Sequence, residues 1–399
     1  MSGIETYTPL SEISARIRKL QDSLVQKKIE GVLILQQSDL FYFSGTSQQA
    51  HLYVPAEGDP VLMVRKDSDR AKKESPLKKI LPFKSPRQIP EIIKENSLTV
   101  PLKLGMELDV LPANLYFNFQ HVFDKTEIID ISHTIRLIRA VKSSYETDMI
   151  RKAAQMSDRV AAIVPEILSE GISEIELAGL IEAEARSLGH QGIIKMRLFG
   201  AELFYGHVMA GPSAAVTSYL SSPTGGPGVS PAIAQGPGFR KVKANEPVLV
   251  DFVCVYRGYL SDHTRIFAVN GLPDDLLSAQ ESMLDVQNLI KREARPGVSA
   301  GNLYDMAVER ASELGYADYF MGVGESRIRF IGHGVGLELD EYPFLAKGQD
   351  LQLQEGMVIA LEPKVIFPGK GVVGIENTHL VTAGGLEQFG KFKEDISVV

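Results

Sequence analysis

The apolar residues in the first third of the chain follow two repeats, one helical and one extended. The helical repeat is clearest at four residues that would share one helix face: Ile13, Ile17, Leu20 and Leu24. The apolar run at 31–35 is typical of a buried strand. Similar runs predict strands at 52–54, 60–64 and 102–106 and helices at 90–95 and 112–119. This alternation predicts a small α/β domain over a mixed or parallel sheet, with bounds of 1–135.

An internal repeat organises the rest of the chain. Ser143 and Glu146 have the spacing of a capping box, and the helix that follows has apolar residues on one face. The segment that starts at Gly171 recurs at a constant offset from Gly297, and each copy lies between a preceding helix and a pair of apolar strands. We therefore predict an α+β domain over 136–399. Its two helix-helix-hairpin halves would be related by pseudo-twofold symmetry around one curved antiparallel sheet.

Four acidic residues interrupt the apolar strands of this domain: Asp251, Asp262, Glu362 and Glu376. A turn centred near Tyr256 and Arg257 would place the first two roughly opposite each other, and a turn at Gly369 would do the same for the second two. Charges in apolar strands are costly unless a counter-charge or a metal compensates them. The ordinary alternative for each acid is a solvated strand edge or turn.

A histidine flanked by glycines, His333, lies between the two acidic hairpins. Glycines on both sides allow a backbone or a ligand to approach it closely. One imidazole and four carboxylates form an oxygen-rich ligand set for hard or borderline divalent cations. Together, these five side chains favour a metal site over five unrelated surface residues.

The sequences around the five side chains resemble those of the pita-bread metallopeptidases. The matching stretches are Val250-Asp251-Phe252, 258–265, Gly332-His333-Gly334-Val335-Gly336-Leu337 and Leu361-Glu362-Pro363. That superfamily includes methionine aminopeptidase, aminopeptidase P, prolidase and the creatinases. Tyr42-Phe43-Ser44-Gly45 is similar to the amino-terminal domain of prolidases and creatinases, so the resemblance covers nearly the whole chain. It implies a pita-bread fold for the larger domain and a creatinase-type fold for the smaller one.

The resemblance also implies a metal centre and an assembly. Its metal ligands are Asp251, Asp262, His333, Glu362 and Glu376, which would bind two divalent ions, Mn²⁺ or Co²⁺ in the first place and Zn²⁺ or Fe²⁺ as alternatives. By the same resemblance, a water between the ions would be the nucleophile, and Glu362 would serve both as a ligand and as the candidate general base. A homodimer is implied in which the smaller domain helps to close the partner's site.

Two histidines of the family peptidases are absent. Where the first would follow the turn at 211–213, this chain has Thr217, Ser218 and Tyr219, and Asp340 stands in the place of the second. His207 is a candidate catalytic residue because a neutral imidazole can donate a hydrogen bond. Asp340 is another, since its charge would favour a substrate with a cationic group.

Further candidate substrate-binding residues lie near these positions: Tyr219, His263, Arg265 and Tyr342. Burial in a structural role is the common alternative for His207 and His263. For Arg265, pairing with a buried carboxylate is favoured over a contact with substrate. The segment 205–241, rich in Gly, Pro and Ser, leads into the Asp251 strand, and we expect it to border the pocket rather than to form a plain surface loop.

Composition restricts the class of protein. The formal charge of −8 argues against a nucleic-acid partner, and 44% hydrophobic residues suffice for two packed cores. The single cysteine, Cys254, indicates a reducing compartment and is expected to fill a strand interior. We find no signal-peptide pattern and no apolar run long enough to span a membrane, so we expect a soluble cytoplasmic protein.

Three classes of function remain open from the sequence. The first is an Xaa-Pro dipeptidase or an aminopeptidase P-like enzyme acting on small peptides, favoured by the intact metal-site sequences. The second is a non-peptidase C–N hydrolase resembling creatinase or ectoine hydrolase, with a small nitrogenous substrate, favoured by the missing histidines. The third is a non-catalytic binding protein on the same fold. The five retained ligands argue against this third class.

Overall fold

The computed structural model describes residues 8–399, which divide into two compact units after Arg139. The first unit is built on a six-stranded sheet with the strand order β4-β3-β2-β1-β5-β6. Its strands are β1 Gly31–Ile34, β2 Ala50–Pro55, β3 Val61–Val64, β4 Lys79–Pro82, β5 Lys103–Met106 and β6 Glu127–Asp130. Its helices are α1 Leu10–Lys27, α2 Gln37–Ser44, α3 Ser68–Glu74, α4 Ile89–Glu95, α5 Ala113–Val122 and α6 Ser132–Ala140, the last of which crosses the division.

The sheet of the first unit is mixed. Strands β1, β2 and β3 pair antiparallel, whereas β3–β4, β1–β5 and β5–β6 pair parallel. The predicted face of α1 is buried, and a hydrophobic cluster joins Leu33, Met63 and Leu104 of the sheet to residues of α4 and α5. The predicted α/β domain over a mixed sheet is confirmed. No helix in residues 8–399 has the length and apolar character needed to cross a membrane.

A partly buried histidine, His51, is expected to make this unit sensitive to acid. His51 of β2 lies with its ring 5.0 Å from that of Phe83 and 5.9 Å from that of Phe119, between centroids. Burial, helped by Arg65, lowers the pKa of His51 from 6.5 to about 4. Below pH 6.5 the unfolded chain takes up this proton and the folded chain does not, so folding stability falls as the pH drops toward 4.

We expect His51→Phe to reduce this acid sensitivity. The wild-type protein should lose about 3 kcal/mol of unfolding free energy through His51 between pH 7 and pH 4, and the variant should not. Urea unfolding followed by circular dichroism at several pH values measures the difference, with His121→Phe on the exposed side of α5 as the control. Parallel pH profiles for the wild type and His51→Phe would contradict the prediction.

The second unit contains four long helices and two main sheets. The helices are α7 Ser144–Ile167, α8 Glu174–Ser187, α9 Asp274–Glu293 and α10 Ala300–Glu313. The strands of its first half are β7 Gly206–Ala210, β8 Val248–Phe252, β9 Cys254–Tyr256, β10 Tyr259–Ser261 and β11 Thr264–Ala268. Those of its second half are β12 Phe330–Gly334, β13 Glu341–Ala346, β14 Val358–Leu361, β15 Lys364–Phe367, β16 Gly371–Gly374, β17 Asn377–Thr382, β18 Gly385–Gln388 and β19 Ser397–Val398.

The predicted internal repeat is visible in the contacts of the two halves. Ser173 caps α8 and bridges to Lys241, as Ser299 caps α10 and bridges to Gln352. In each half a central strand pairs antiparallel with two neighbours: β8 with β7 and β11, and β14 with β12 and β17. An antiparallel bridge between Thr264 and Glu376 joins the halves. The acid-bearing strands of both halves therefore meet at this seam.

The register of the second acidic hairpin agrees with the prediction, and that of the first does not. Leu361 pairs with Asn377 and Lys364 with Gly374, a register that places Glu362 opposite Glu376. In the first hairpin, however, Asp251 pairs with Thr264. The prediction that Asp251 lies opposite Asp262 is therefore wrong by two positions.

The shape of the turn explains this shift. Arg257 and Gly258 both have positive φ, 51° and 89°, and Tyr256 pairs with Tyr259. Positive φ at both central positions is the requirement of a two-residue turn that matches the strand twist. The turn centre therefore lies between Arg257 and Gly258, one residue later than the sequence analysis assumed. Cys254, in the strand before this turn, is fully buried as expected.

Candidate metal centre

The five predicted ligands converge at the seam between the two halves. Asp251 belongs to β8 and His333 to β12, and the other three occupy short breaks between consecutive strands: Asp262 between β10 and β11, Glu362 between β14 and β15, and Glu376 between β16 and β17. All except Asp251, which is half-buried, are buried.

His333 is the centre of one group of donor atoms. Its Nε2 lies 3.8 Å from Asp262 Oδ2, 3.7 Å from Glu362 Oε1 and 3.8 Å from Glu376 Oε1. On the other side of the ring, Nδ1 lies 3.2 Å from the carbonyl oxygen of Gly334. We assign the proton to Nδ1, which donates to this carbonyl and leaves the lone pair of Nε2 directed at the carboxylates.

This group fits a divalent cation. The donor atoms of Asp262, His333 and Glu376 all lie within 4.8 Å of one another. Ligand atoms about 2.0–2.2 Å from a shared cation have separations of this order. Glu376 Oε1 is buried and, among the described residues, has no hydrogen-bond partner. A buried carboxylate oxygen without a donor is costly, and a cation at this point would remove the cost.

A lysine that the sequence analysis missed completes the site. Lys364, the first residue of β15, is 1% exposed, and its Nζ donates to Asp251 Oδ2 at 3.1 Å, to Glu362 Oε2 at 2.8 Å and to Glu376 Oε2 at 2.8 Å. An ammonium has three donors, and all three are used here. The sequence signal was present, since Lys364 is a charged residue in an apolar strand, as the four acids are.

The pKa values in the site reflect burial and crowded charge. Burial, together with the neighbouring Glu376 and Asp251 carboxylates, raises the pKa of Asp262 well above its usual range. Burial also raises the pKa of Glu376 to about 7, against the opposing effect of the Lys364 ammonium. Burial alone would lower the pKa of Lys364, but the charges of Asp251, Glu362 and Glu376 have the larger effect and raise it well above its usual range. The ammonium therefore stays charged. The carboxylates thus repel one another and attract cations.

The site opens into a cleft with roughly 630 Å³ of empty volume. The 205–241 segment contributes Gly206, His207 and 220–222 to its lining, so this segment borders the cleft as predicted. A second group of lining residues, not predicted from the sequence, is apolar and precedes this segment: Met196, Leu198, Ala201 and Leu203. The cleft therefore has a charged floor and an apolar side.

Two further candidate residues reach the cleft. His207 pairs with Asp251 across β7 and β8 and lines the cleft, and burial lowers the pKa of its imidazole despite the opposing charge of Asp251. Asp340 also lines the cleft, with Oδ1 3.6 Å from His333 Nδ1. Both residues therefore belong to the cleft lining.

The other predicted substrate-binding residues lie outside the cleft lining. Tyr219 is 59% exposed, and Tyr342 packs edge to face against Phe344. His263 is buried beside Asp262, where burial and Arg265 lower its pKa well below the usual range. These placements give His263 a packing role and leave the cleft lining to His207 and Asp340 among the candidate substrate contacts.

Arg265 is a structural residue in this fold. It is 1% exposed, and its guanidinium donates to the carbonyl oxygens of Thr264, Glu376, Phe392 and Lys393 and to Asn377 Oδ1. Within residues 8–399, its hydrogen bonds go to the surrounding backbone and to the Asn377 amide rather than to a carboxylate or into the cleft. It ties β11 to β17 and to the chain end beyond β18.

Comparisons with known proteins agree with this geometry. Residues 148–383 match the model of metallopeptidase family M24, and residues 16–141 match the creatinase/prolidase N-terminal domain. The Xaa-Pro dipeptidase of Pyrococcus furiosus is 29% identical over 385 residues, which cover 96% of this chain and 99% of the relative. The Xaa-Pro dipeptidase of Pyrococcus horikoshii is 26% identical, with 96% and 99% covered.

Solved structures resemble the whole chain as well. The prolidase structure from Pyrococcus furiosus has a TM-score of 0.76 and 27% identity, and the match covers 94% of this chain and 99% of that one. An Xaa-Pro dipeptidase structure from Bacillus anthracis, 23% identical with a TM-score of 0.82 and 97% and 100% covered, supports the fold. With its M24 match extending over more than half of its length, and a buried cluster of carboxylates around His333, the chain belongs to metallopeptidase family M24.

Proposed function

We propose that this protein is a metal-dependent peptidase that hydrolyses the bond between an amino-terminal residue and a following proline. The observation that carries the proposal is the placement of His333 Nε2 at 3.7–3.8 Å from three carboxylate oxygens on the floor of a cleft. The full-length relatives named Xaa-Pro dipeptidase supply the substrate class. Family membership supports the use of a divalent metal and small peptides as substrates.

The metal would be held by Asp262, His333 and Glu376, with Glu362 beside them. A divalent cation supplies Lewis acidity to a bound carbonyl and lowers the pKa of a bound water. The ions predicted from the sequence, Mn²⁺ or Co²⁺ before Zn²⁺ or Fe²⁺, remain predictions. So do the homodimer and the cytoplasmic location.

Glu362 is the candidate general base. Its carboxylate faces both His333 and Lys364, so it lies where the charges of the site converge. In the proposed reaction, Glu362 accepts a proton from the attacking water, the water oxygen bonds to the scissile carbonyl carbon, and the C–N bond breaks. The proton then passes to the leaving proline nitrogen, which balances the hydrolysis.

Asp340 and His207 are the candidate substrate contacts. A substrate with a free amino terminus carries an ammonium, and the Asp340 carboxylate in the cleft lining would attract it. His207 Nε2 is buried and, in the part of the chain that is described, has no hydrogen-bond partner. The neutral imidazole is therefore suited to donate a hydrogen bond to a substrate oxygen.

The role of Asp340 predicts a specific change in substrate preference. Asp340→Asn should lower kcat/KM for a free Xaa-Pro peptide roughly ten- to a hundredfold relative to the same peptide with an acetylated amino terminus, since it removes one charge-assisted contact. Steady-state kinetics on the peptide pair measures this ratio. Asp350→Asn, on an exposed segment outside the cleft, is the control. An unchanged ratio in Asp340→Asn would exclude the ammonium contact.

A non-peptidase C–N hydrolase is the second candidate function. The observation in its favour is the acidic Asp340 beside His333, which would equally hold an amidinium or another small cationic group. Mass spectrometry on one panel of Xaa-Pro peptides and small cationic amides separates the two. Release of the residue that precedes proline supports the peptidase. Turnover of the small amides alone would replace the peptidase proposal with the second one.

A further inference from the structure

The two glutamates of the site divide their oxygens between two cation positions. Oε1 of Glu362 and Oε1 of Glu376 face His333 Nε2, at 3.7 and 3.8 Å. Oε2 of each faces Lys364 Nζ, at 2.8 Å. A carboxylate that presents one oxygen to each of two positions is typical of a site that holds two cations. Here one of the two positions contains the ammonium.

The ammonium position has the surroundings of a cation site. Asp251 Oδ2 completes a set of three carboxylate oxygens around Nζ. These three oxygens accept from all three N–H donors of the ammonium. A cation bound to the same three oxygens at about 2.0–2.2 Å would lie in contact with Nζ. Steric overlap and the repulsion of like charges at so short a distance exclude the simultaneous occupation of this position.

The fold makes room for the lysine. Gly374 pairs with Lys364 across β15 and β16, and a Cβ at Gly374 would lie 2.8 Å from Lys364 Cγ. A side chain at Gly374 would therefore displace the stem of the lysine. On the other strand edge, the backbone N–H of Met321 donates to the carbonyl of Lys364. The lysine is thus held from both sides with its ammonium pointing into the site.

We propose that the Lys364 ammonium takes the place of a second metal ion, so that the centre binds one divalent cation among Asp262, His333, Glu362 and Glu376. The inference rests on the proposed metal-dependent function and refines it. It replaces the two ions predicted from the sequence by one ion and one fixed charge. Asp251 then serves as a partner of Lys364 rather than as a metal ligand.

The number of bound ions tests the proposal directly. The full-length protein is loaded with Mn²⁺, freed of unbound metal by desalting, and measured by elemental mass spectrometry and by electron paramagnetic resonance. We expect one Mn²⁺ per chain with the spectrum of an isolated ion. For Lys364→Ala, which removes the ammonium and opens its position, we expect two ions per chain with a spin-coupled spectrum. Lys364→Arg keeps a positive charge and should bind one ion.

Lys370→Ala is the matched control, because Lys370 lies in the same hairpin but is exposed and pairs with Asp275. Two tightly bound ions in the wild type would overturn the proposal. One ion in a folded Lys364→Ala protein would overturn the role of the lysine. If Lys364→Ala does not fold, the number of ions bound by the wild type and by Lys364→Arg still tests the proposal.

The outcome is separable from the proposed function. A single bound ion without cleavage of any Xaa-Pro peptide would support the lysine proposal and contradict the peptidase. Two bound ions with peptide cleavage would contradict the lysine proposal and support the peptidase. The absence of any bound ion would contradict both.

Discussion

Asp262→Asn should abolish metal-dependent turnover and leave the protein folded. The introduced amide oxygen can still accept the hydrogen bond from the His263 N–H, and the backbone contacts to Thr378 do not involve the side chain. The lost carboxylate oxygen is the one that faces His333 Nε2. Removing a metal ligand should lower metal affinity and activity by more than the roughly 10–100-fold loss that follows removal of a ligand's hydrogen-bond partner.

In the metal-free protein, Asp262→Asn should raise the free energy of unfolding, although it abolishes turnover. The folded-state pKa of Asp262 is raised, so its charge lowers stability as the pH rises above the unfolded-state value of about 4. The asparagine side chain of the variant carries no charge and removes that cost. The measurements are metal content, kcat/KM, and melting temperature with a chelator present, with the exposed Asp275→Asn as control. Normal metal content and turnover in Asp262→Asn would contradict the assignment of this ligand. Glu376→Ala should likewise lose turnover.

Arg265→Met should cost about 3–5 kcal/mol of unfolding free energy. The guanidinium makes five hydrogen bonds to described residues in a buried site, and the substitution leaves four backbone carbonyls and the Asn377 amide oxygen without this donor. A buried acceptor left unsatisfied costs about 1–3 kcal/mol, and several are affected here. Burial lowers the pKa of Arg265 to about 10, which still leaves the side chain charged at neutral pH. Urea unfolding measures the loss.

Arg310→Met is the control for this loss. Arg310 forms ion pairs with Asp285 and Glu313 at the surface, where such pairs contribute about 1 kcal/mol or less. Arg265→Lys cannot reproduce the planar set of donors and should recover only part of the stability. If Arg265→Met unfolded like the wild type but raised KM, the residue would act on substrate, which is the less favoured of the two roles predicted from the sequence.

The five acidic and imidazole side chains that gather at the seam could be predicted from the sequence because the signals there are local. Acids in apolar strands and a histidine between glycines are visible without a structure, and Gly369 sets the register of Glu362 and Glu376. The register of Asp251 was misjudged because the positive φ of Arg257 moves the turn by one residue. Gly258 was the available signal for a two-residue turn at this point.

Other features depend on contacts between distant segments. Most partners of Arg265 lie in β17 and near the chain end, far from it in sequence, so its burial could not be inferred from its neighbours. The apolar side of the cleft comes from Met196 to Leu203, whose sequence has no feature that marks a binding site. Lys364 is different, since its charge in an apolar strand was visible. Its role could be inferred only from the three carboxylates that surround its ammonium in the structure.

The most direct test of the proposed function is proline release from an Xaa-Pro dipeptide before and after removal of metal. The purified protein is treated with a chelator, desalted and assayed by mass spectrometry, and Mn²⁺ or Co²⁺ is then added back to the same sample. We expect cleavage to disappear with the metal and to return when it is restored, while Asp262→Asn stays inactive throughout. Cleavage that persists in the metal-free protein, or no cleavage by folded, metal-loaded protein, would contradict a metal-dependent Xaa-Pro peptidase.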